Sequence, residues 1–297
     1  MPQSRPKQSN VSRPKNGRIA NTFNSILKRF RLLAGDLNRY QVSVPGPLPE
    51  YYTSLGPFRD AFANGCPALM YHKLGPRPRA TRLKGLYVGA RLFERQMEEF
   101  SAAGYKTILF SELAHFPATR GAVVLTFDDG FANTLTHGLG PMAARKFSAI
   151  QYLVADRLGQ LNDWEMREGE APARLMEAAQ IRDWMAAGHS IGAHTLTHPH
   201  LTQVSAARAR EEIASSKKKL EDLFGVPIRE FCYPYGDWSP AIREEVVRAG
   251  YTVACTTERG INGPEVDGFG YKRYMARYAS RNWRWLGSLF RGALGAR

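Results

Sequence analysis

The sequence predicts an α/β protein: a distorted (β/α) barrel of about seven units with basic N- and C-terminal extensions. Three observations support this fold class. A helical pattern, a glycine and a strand-like run follow one another three times. Strand-like runs alternate with helical segments through short connections, which is typical of a mainly parallel sheet. Polar residues with reactive side chains follow several of the runs, where barrels of this class carry their chemistry.

The three repeats place a glycine at the end of each predicted helix. Gly104, Gly188 and Gly250 each follow an apolar pattern at helical spacing. Glycine favours this position because a helix often ends in a residue with positive φ. The runs after these glycines predict strands at residues 107–110, 190–193 and 252–255. Further strands are predicted at residues 67–71, 122–125, 149–154 and 231–233, and a long helix at residues 205–224.

The net charge of +14 is concentrated at the two ends of the chain. Residues 1–40 contain nine Lys and Arg and one acidic residue, and residues 271–297 contain seven Lys and Arg and no acidic residue. The remaining residues sum to −1. A nucleic-acid-binding domain would carry its positive charge on the folded surface. We therefore expect no nucleic-acid partner.

The extensions have the composition of surface-binding or tail segments. Residues 1–40 begin as a polar, Pro-rich stretch that predicts disorder, followed by a basic amphipathic helix over residues 19–33. Such a helix either packs its apolar stripe on the main domain or lies on an anionic membrane surface. Residues 271–297 are basic and include Trp283 and Trp285. Weak association with an anionic membrane through both termini is the second of these alternatives.

Localisation is predicted from what the composition lacks. No uninterrupted apolar stretch follows a basic start, and none approaches the ~18 residues of a membrane span. The three cysteines, Cys66, Cys232 and Cys255, form no CxxC pair. A reducing compartment fits this cysteine usage. We expect a cytoplasmic protein, with peripheral attachment at the inner face of the membrane as the alternative.

The segment Thr-Phe-Asp-Asp-Gly at residues 126–130 is the most informative motif. Asp128 and Asp129 follow a buried strand. Burying two adjacent carboxylates is costly, so a bound cation, protonation or a catalytic role is expected for them. A simple Asp-Gly turn is the alternative. His194 and His198 follow another predicted strand. One carboxylate and two imidazoles make a three-ligand metal site, leaving the second carboxylate free to act on a bound water.

A pair of histidines four residues apart also occurs on an ordinary helix face. Gly192 before the pair and Pro199 after it favour a loop instead. A loop at the carboxyl end of one strand can approach the carboxylates at the end of another. The two motifs together therefore indicate a metal site.

These motifs resemble those of the polysaccharide deacetylase family, which is carbohydrate esterase family four or the nodulation-protein-B homology domain. Residues 126–130 match its TFDDG motif, residues 194–198 its HTxxH motif, and residues 231–236 its RxPYG-like motif. The resemblance covers roughly residues 65–260 and predicts a catalytic domain over residues 65–270. It is closest to the subgroup that deacetylates poly-N-acetylglucosamine-type exopolysaccharides.

The resemblance implies a role for each motif residue. Asp128 would be the general base, and Asp129, His194 and His198 would hold a divalent metal, usually zinc. Co²⁺, Mn²⁺ or Ni²⁺ could occupy the same ligands. The backbone N–H of Tyr235, in the Pro-Tyr-Gly turn, would be the oxyanion donor.

The chain departs from the family pattern in two places. Cys232 replaces the arginine that usually opens the third motif and steadies the catalytic aspartate, and we expect Cys232 to pack rather than react. The late histidine that usually supplies the general acid is absent, because all seven histidines lie at or before residue 200. His72, after the strand at residues 67–71, is the candidate acid, since a YH motif fills this role in the subgroup. A structural histidine at a strand end is the alternative.

The predicted function is metal-dependent N-deacetylation of N-acetylhexosamine units in a polysaccharide or oligosaccharide. Two alternatives stay open. The first is a deacetylase or deformylase of a lipid- or nucleotide-linked sugar at the cytoplasmic membrane face. The second is a carbohydrate-binding pseudoenzyme, suggested by the missing arginine and late histidine. A pure binding protein has no need of Asp128, which favours the enzyme.

Overall fold

The computed structural model describes residues 48–79, 81–113 and 121–278. The predicted amphipathic helix over residues 19–33 and the tryptophans at 283 and 285 lie outside this part of the chain. Within it, no helix is both long enough and apolar enough to span a bilayer.

A curled parallel sheet forms the centre of the described fold. Its strand order is β10-β1-β5-β6-β7-β8-β9, with β4 beside β5, and every pair is parallel. Two short strands, β2 and β3, form a separate parallel pair. The strands are β1 (Ala68–Tyr71), β2 (Lys73–Leu74), β3 (Tyr87–Val88), β4 (Lys106–Thr107), β5 (Ala122–Phe127), β6 (Ile150–Leu153), β7 (Ser190–Ala193), β8 (Glu230–Cys232), β9 (Val253–Cys255) and β10 (Tyr274–Met275).

The segment from Tyr271 to Met275 joins the two edges of the sheet. Tyr271 forms a parallel bridge with Cys255 at the end of β9. Three residues later, Tyr274 pairs with Leu69 of β1. The segment therefore lies between the last and the first strand of the predicted barrel, and the predicted (β/α) barrel is confirmed.

Among the described residues, seven α-helices connect or cover the strands. They are α1 (Arg59–Phe62), α2 (Ala90–Ala102), α3 (Phe110–Leu113), α4 (Asn133–Ala143), α5 (Ala178–Ala186), α6 (Ala206–Phe224) and α7 (Pro240–Arg248). The long predicted helix is confirmed as α6. Ser205 accepts a hydrogen bond from the Arg208 N–H at its start, and Gly225 ends it with φ 68°. Both residues satisfy backbone groups that a helix end leaves unpaired.

The predicted strand at residues 107–110 is wrong after Thr107. β4 ends at Thr107, and α3 begins at Phe110. The buried carboxylate of Glu230 accepts a hydrogen bond from the Ser111 N–H at 2.9 Å. A carboxylate at the first turn of a helix stabilises it, which the local apolar pattern did not reveal.

The packed core extends beyond residues 65–270 on both sides. Tyr52, Phe58 and Phe62 are buried, and the Phe58 ring lies 5.4 Å from the ring of Tyr274. The Tyr52 N–H donates to the carbonyl oxygen of Met275 at 2.9 Å. Residues near both ends of the described chain therefore hold each other against β1.

Candidate active site

Four strand ends bring the predicted site residues into one cavity of about 520 Å³. His72 follows β1, Asp128 and Asp129 follow β5, and His194 follows β7. Tyr235 lies in the short turn after β8. All of them, with His198, line the cavity. The parallel sheet explains this convergence, because its carboxyl ends all meet at one rim.

Asp129, His194 and His198 form the predicted three-residue metal group. Asp129 Oδ1 lies 3.4 Å from His194 Nε2 and 3.3 Å from His198 Nε2. All three side chains are buried. Within the described residues, Asp129 Oδ1 and His198 Nδ1 are buried without a hydrogen-bond partner. A buried, unpaired carboxylate oxygen facing two ring nitrogens is the arrangement that a divalent cation would satisfy.

The hydrogen bonding of His194 fixes its ring for this role. Its Nδ1 lies 2.7 Å from the carbonyl oxygen of Cys232. Such a bond requires the proton on Nδ1, and in the tautomer with that single proton Nε2 presents its lone pair towards Asp129. Metal-ligating histidines are usually oriented by a contact of this kind.

The protonation states of the group also suit a cation. Burial alone raises the pKa of Asp129, but the two neighbouring histidines outweigh burial and hold the pKa well below its ordinary value. Burial lowers the pKa of His198. The result is an ionised carboxylate beside a neutral imidazole, the forms in which both side chains bind metals.

Asp128, His194 and Cys232 also lie close enough together to hold a metal. A buried cation already occupies their surroundings, however. Arg273 Nη1 lies 2.7 Å from Asp128 Oδ1, and Arg273 Nη2 lies 3.1 Å from Cys232 Sγ. A metal ion there would be repelled by the guanidinium, so the Asp129 group is the better metal site.

Arg273 is a residue of the site that the sequence did not reveal. Its guanidinium donates to both Asp128 oxygens, at 2.7 and 2.9 Å, and also to Thr126 Oγ1 at 2.9 Å. Its side chain is fully buried. Burial raises the pKa of Asp128, but the guanidinium outweighs it, and the pKa lies below the ordinary value. Arg273 therefore orients Asp128 and keeps it ionised. The resemblance implies this role for the arginine of the third motif, which Cys232 replaces here.

Cys232 is buried against this ion pair, as expected of a packing residue. Its Sγ lies 3.7 Å from Asp128 Oδ2. Burial raises the pKa of its thiol well above the ordinary value, so the thiol is neutral. A side chain this small leaves space for the guanidinium that enters from the closing segment of the barrel.

His72 also lies near Asp128. Its Nε2 is 3.9 Å from Asp128 Oδ2, and 14% of its side chain is exposed. Burial lowers the pKa of His72, while the carboxylates of Asp128 and Asp129 act in the opposite direction. The closed barrel therefore brings a neutral imidazole beside the carboxylate.

Backbone strain is concentrated at the site. Among the described non-glycine residues, five have positive φ, and four of these are Asp129 (73°), Thr195 (66°), His198 (64°) and Tyr235 (60°). Residues with side chains rarely adopt this conformation, which costs about 1–3 kcal/mol at each position. The surrounding structure thus holds the metal group and the Pro-Tyr-Gly turn in fixed, unfavourable geometries.

Glu212 of α6 holds the loop that carries the two histidines. Its Oε2 accepts hydrogen bonds from the N–H groups of Leu196 and Thr197, at 2.8 and 2.9 Å. Its Oε1 accepts one from Thr197 Oγ1 and one from Arg208, and its side chain is fully buried. A helix residue far from the motif in sequence therefore fixes the backbone between the histidines.

Aromatic side chains form the wall beside the metal group. The Trp164 ring stacks on His198 at 4.6 Å, and the Tyr235 ring stacks on His200 at 3.8 Å. A second cavity of about 480 Å³ lies next to the first and shares Trp164, His198, His200 and Tyr235 with it. The two cavities therefore adjoin along these four side chains. Trp238 donates a hydrogen bond to Glu258 and lines neither cavity.

Comparison with known proteins shows what this chain is similar to. Residues 117–254 match the family model described as polysaccharide deacetylase. YxkH of Bacillus subtilis (strain 168), named as a polysaccharide deacetylase, is 23% identical over 199 residues, which are 65% of this chain and 65% of that protein. The chitooligosaccharide deacetylase of Azorhizobium caulinodans is 25% identical over 143 residues, 48% of this chain and 61% of that protein. The chain thus spans just under two thirds of the length of these relatives.

A solved structure shows the same fold. The deacetylase PplD of Streptococcus pyogenes, determined in complex with acetate, is 22% identical to this chain, with a TM-score of 0.62. The similarity covers 75% of this chain and 97% of that one. The curled sheet and its surrounding helices are therefore shared with a deacetylase.

Proposed function

We propose that the chain is a member of the polysaccharide deacetylase family, hydrolases that cleave amide bonds, and that it acts as a metal-dependent N-deacetylase of N-acetylhexosamine units in a glycan. The observation that carries the proposal is the pairing of two adjacent carboxylates in different environments. Asp129 faces two imidazoles, and Asp128 faces a guanidinium. One carboxylate can then hold a metal while the other handles a proton.

Asp129, His194 and His198 would hold the ion, with Zn²⁺ the first choice and Co²⁺, Mn²⁺ or Ni²⁺ as substitutes. When bound, the metal would polarise the amide and activate the attacking water. Asp128 takes a proton from that water while the water oxygen forms its bond to the amide carbon. Arg273 keeps Asp128 ionised for this step, and the backbone N–H of Tyr235 is the proposed donor to the amide oxygen.

His72 completes the proton transfer. Because burial lowers its pKa, His72 is neutral before the reaction and must receive a proton before it can donate one. Asp128 Oδ2, 3.9 Å from His72 Nε2, is the nearby source after it has taken the proton of the water. His72 then protonates the nitrogen as the carbon–nitrogen bond breaks, giving acetate and a free amino sugar.

A glycan substrate fits the two adjoining cavities better than a nucleotide- or lipid-linked sugar. A chain of sugars can occupy the first cavity and continue into the second, past the ring of Trp164. The cation of the second cavity, Arg157, is bound by both oxygens of Asp163, at 3.1 and 2.9 Å. A paired arginine is poorly placed to bind a pyrophosphate. The poly-N-acetylglucosamine type of chain is the specific substrate that we propose.

Localisation is proposed from the charge at the termini. A cytoplasmic protein with weak peripheral attachment would use the basic segments at residues 1–40 and 271–297. Flotation with anionic and neutral liposomes, with the full chain and without residues 1–40, measures this directly. Equal behaviour on both liposome types would contradict attachment.

Acetate release from N-acetylglucosamine oligomers tests the proposed function. Asp128→Asn should keep the bound metal and lose turnover by about 10²–10⁴-fold, because it removes only the base. His194→Ala should lose metal and turnover together. Undiminished turnover in Asp128→Asn would refute the base assignment, and acetate release by a metal-free protein would refute the metal dependence.

A further inference from the structure

A third carboxylate, Glu165, lines the catalytic cavity with Asp128 and Asp129. It begins the short 3-10 helix Glu165–Glu168, directly after Trp164. Only 5% of Glu165 is exposed. The proposed reaction assigns it no task, and it belongs to neither candidate metal group of the described residues.

Lys73 holds Glu165 in place. The Lys73 ammonium donates to Glu165 Oε2, and the Lys73 side chain is fully buried. Two rings flank the ammonium, Phe131 at 4.6 Å and Tyr87 at 5.1 Å from their centroids. The cation is therefore desolvated and confined, and it fixes the position of one carboxylate oxygen.

A buried ion pair is a costly way to anchor a loop. Apolar residues of similar volume often stabilise a protein as well or better, because they avoid the desolvation of two charges. This pair also does what an apolar pair cannot do: it places an oriented, charged acceptor on the cavity wall. Burial and the Asp129 carboxylate raise the pKa of Glu165, and the Lys73 ammonium acts against both.

Another part of the cavity wall is apolar. Leu83, Leu86 and Met275 line it as apolar wall. A sugar ring presents several hydroxyl groups, and a site of this kind uses a few fixed polar groups to orient its ligand. Glu165 is the remaining acidic lining residue once Asp128 and Asp129 have their roles.

We propose that Glu165, held by Lys73, is a substrate-binding residue that accepts a hydrogen bond from a hydroxyl group of the sugar whose acetamide is cleaved. The proposal rests on the proposed deacetylase function. It assigns Glu165 to binding and orientation of the sugar ring, and it leaves proton transfer to Asp128 and His72.

The double variant Lys73→Met/Glu165→Leu distinguishes substrate binding by Glu165 from a purely structural role of the Lys73–Glu165 ion pair. It replaces the ion pair with apolar side chains of similar size, so a purely structural pair should tolerate it. On N-acetylglucosamine oligomers we expect KM to rise about tenfold or more, the size expected for one lost hydrogen bond to a charged group. The thermal midpoint should stay close to that of the wild type. An unchanged KM in the folded double variant would overturn the proposal.

Glu165→Gln is the second variant, in case the double variant does not fold. It keeps the shape of the side chain and an oxygen for Lys73, and KM should again rise. Glu230→Gln is the matched control, since it neutralises another buried carboxylate at the amino end of β8, away from the cavity. An effect of equal size on KM in the control would contradict a specific role for Glu165.

Deoxy substrates provide a readout that a structural role would not move. In the wild type, one monodeoxy derivative of the N-acetylglucosamine oligomer should lose about tenfold in kcat/KM, and the Glu165 variants should not discriminate against it. Equal discrimination by wild type and variants would overturn the proposal. Failure of the wild type to release acetate from any oligomer would instead refute the proposed function, so the two failures are distinguishable.

Discussion

Replacing Arg273 with methionine should damage stability and activity together. Methionine keeps the apolar stem but removes a guanidinium that donates two hydrogen bonds to Asp128, at 2.7 and 2.9 Å. Both side chains are buried, with 0% and 3% exposed. Removing one partner of such a pair costs about 3–5 kcal/mol, because the other charge stays buried without compensation. For a domain of this size the loss corresponds to about 6–20 °C in Tm.

The activity loss follows from two consequences of the same change. Asp128 loses the contact that orients it, and a misplaced catalytic group costs about 100-fold. Its pKa also rises, since burial then acts without the opposing guanidinium. We therefore expect kcat/KM for acetate release to fall about 100-fold or more in Arg273→Met. The assay is initial-rate acetate release with thermal unfolding measured on the same preparations.

A matched control and a rescue make the prediction sharp. Arg243→Met removes another bidentate arginine, but Arg243 and Asp267 are 34% and 47% exposed, and such pairs contribute at most about 1 kcal/mol. The double variant Arg273→Met/Cys232→Arg places an arginine where the Cys232 Sγ lies 3.7 Å from Asp128 Oδ2, and it should recover at least tenfold of the lost activity. Wild-type activity in Arg273→Met would refute the positioning role.

Three further predictions concern the surroundings of the site. Glu212→Ala should weaken zinc affinity about 10–100-fold, because the N–H groups of Leu196 and Thr197 between the histidines lose the carboxylate that accepts their hydrogen bonds. A competition titration with a chromophoric chelator measures the zinc affinity, and an unchanged affinity would contradict this prediction. Burial lowers the pKa of His189 from 6.5 to about 4, so the unfolded chain binds the extra proton and the free energy of unfolding should rise by up to about 3 kcal/mol between pH 4 and pH 6.5. Urea unfolding of His189→Gln should show a flatter rise over that window, and an identical slope would be inconsistent with the buried neutral histidine. Gly192→Ala should lower Tm, because a Cβ there would lie 2.6 Å from the Tyr152 ring and 2.8 Å from the carbonyl oxygen of Glu230; an unchanged Tm would refute the close packing.

The fold and the meeting of the motifs were predictable because they depend on local signals. Helix-ending glycines and strand-like runs are read from neighbouring residues, and the parallel arrangement then places the strand ends at one rim. Asp129, His194 and His198 are brought together as the motifs predict. The roles assigned to Asp128, His72 and Tyr235 remain predictions for the variants to test.

Arg273 and Glu165 were not predictable because their partners are distant in sequence. Arg273 lies in the segment that the charge balance assigns to a basic extension, and its contact with Asp128 spans 145 positions. Only the closing segment between β9 and β1 shows that this arginine enters the barrel. Lys73 and Glu165 are likewise 92 positions apart, and neither has a local pattern that predicts a buried pair. Long-range charge pairing leaves no periodic signal in a single sequence.

The central claim is that Asp129, His194 and His198 hold one catalytic metal ion. Its most direct test is acetate release from N-acetylglucosamine oligomers as Zn²⁺ is titrated into chelator-treated protein, with bound zinc measured by elemental analysis. We predict activity that rises from background and reaches a plateau at about one equivalent of zinc, with no such rise in His194→Ala. Full activity before any metal is added, or a wild-type response in His194→Ala, would contradict it.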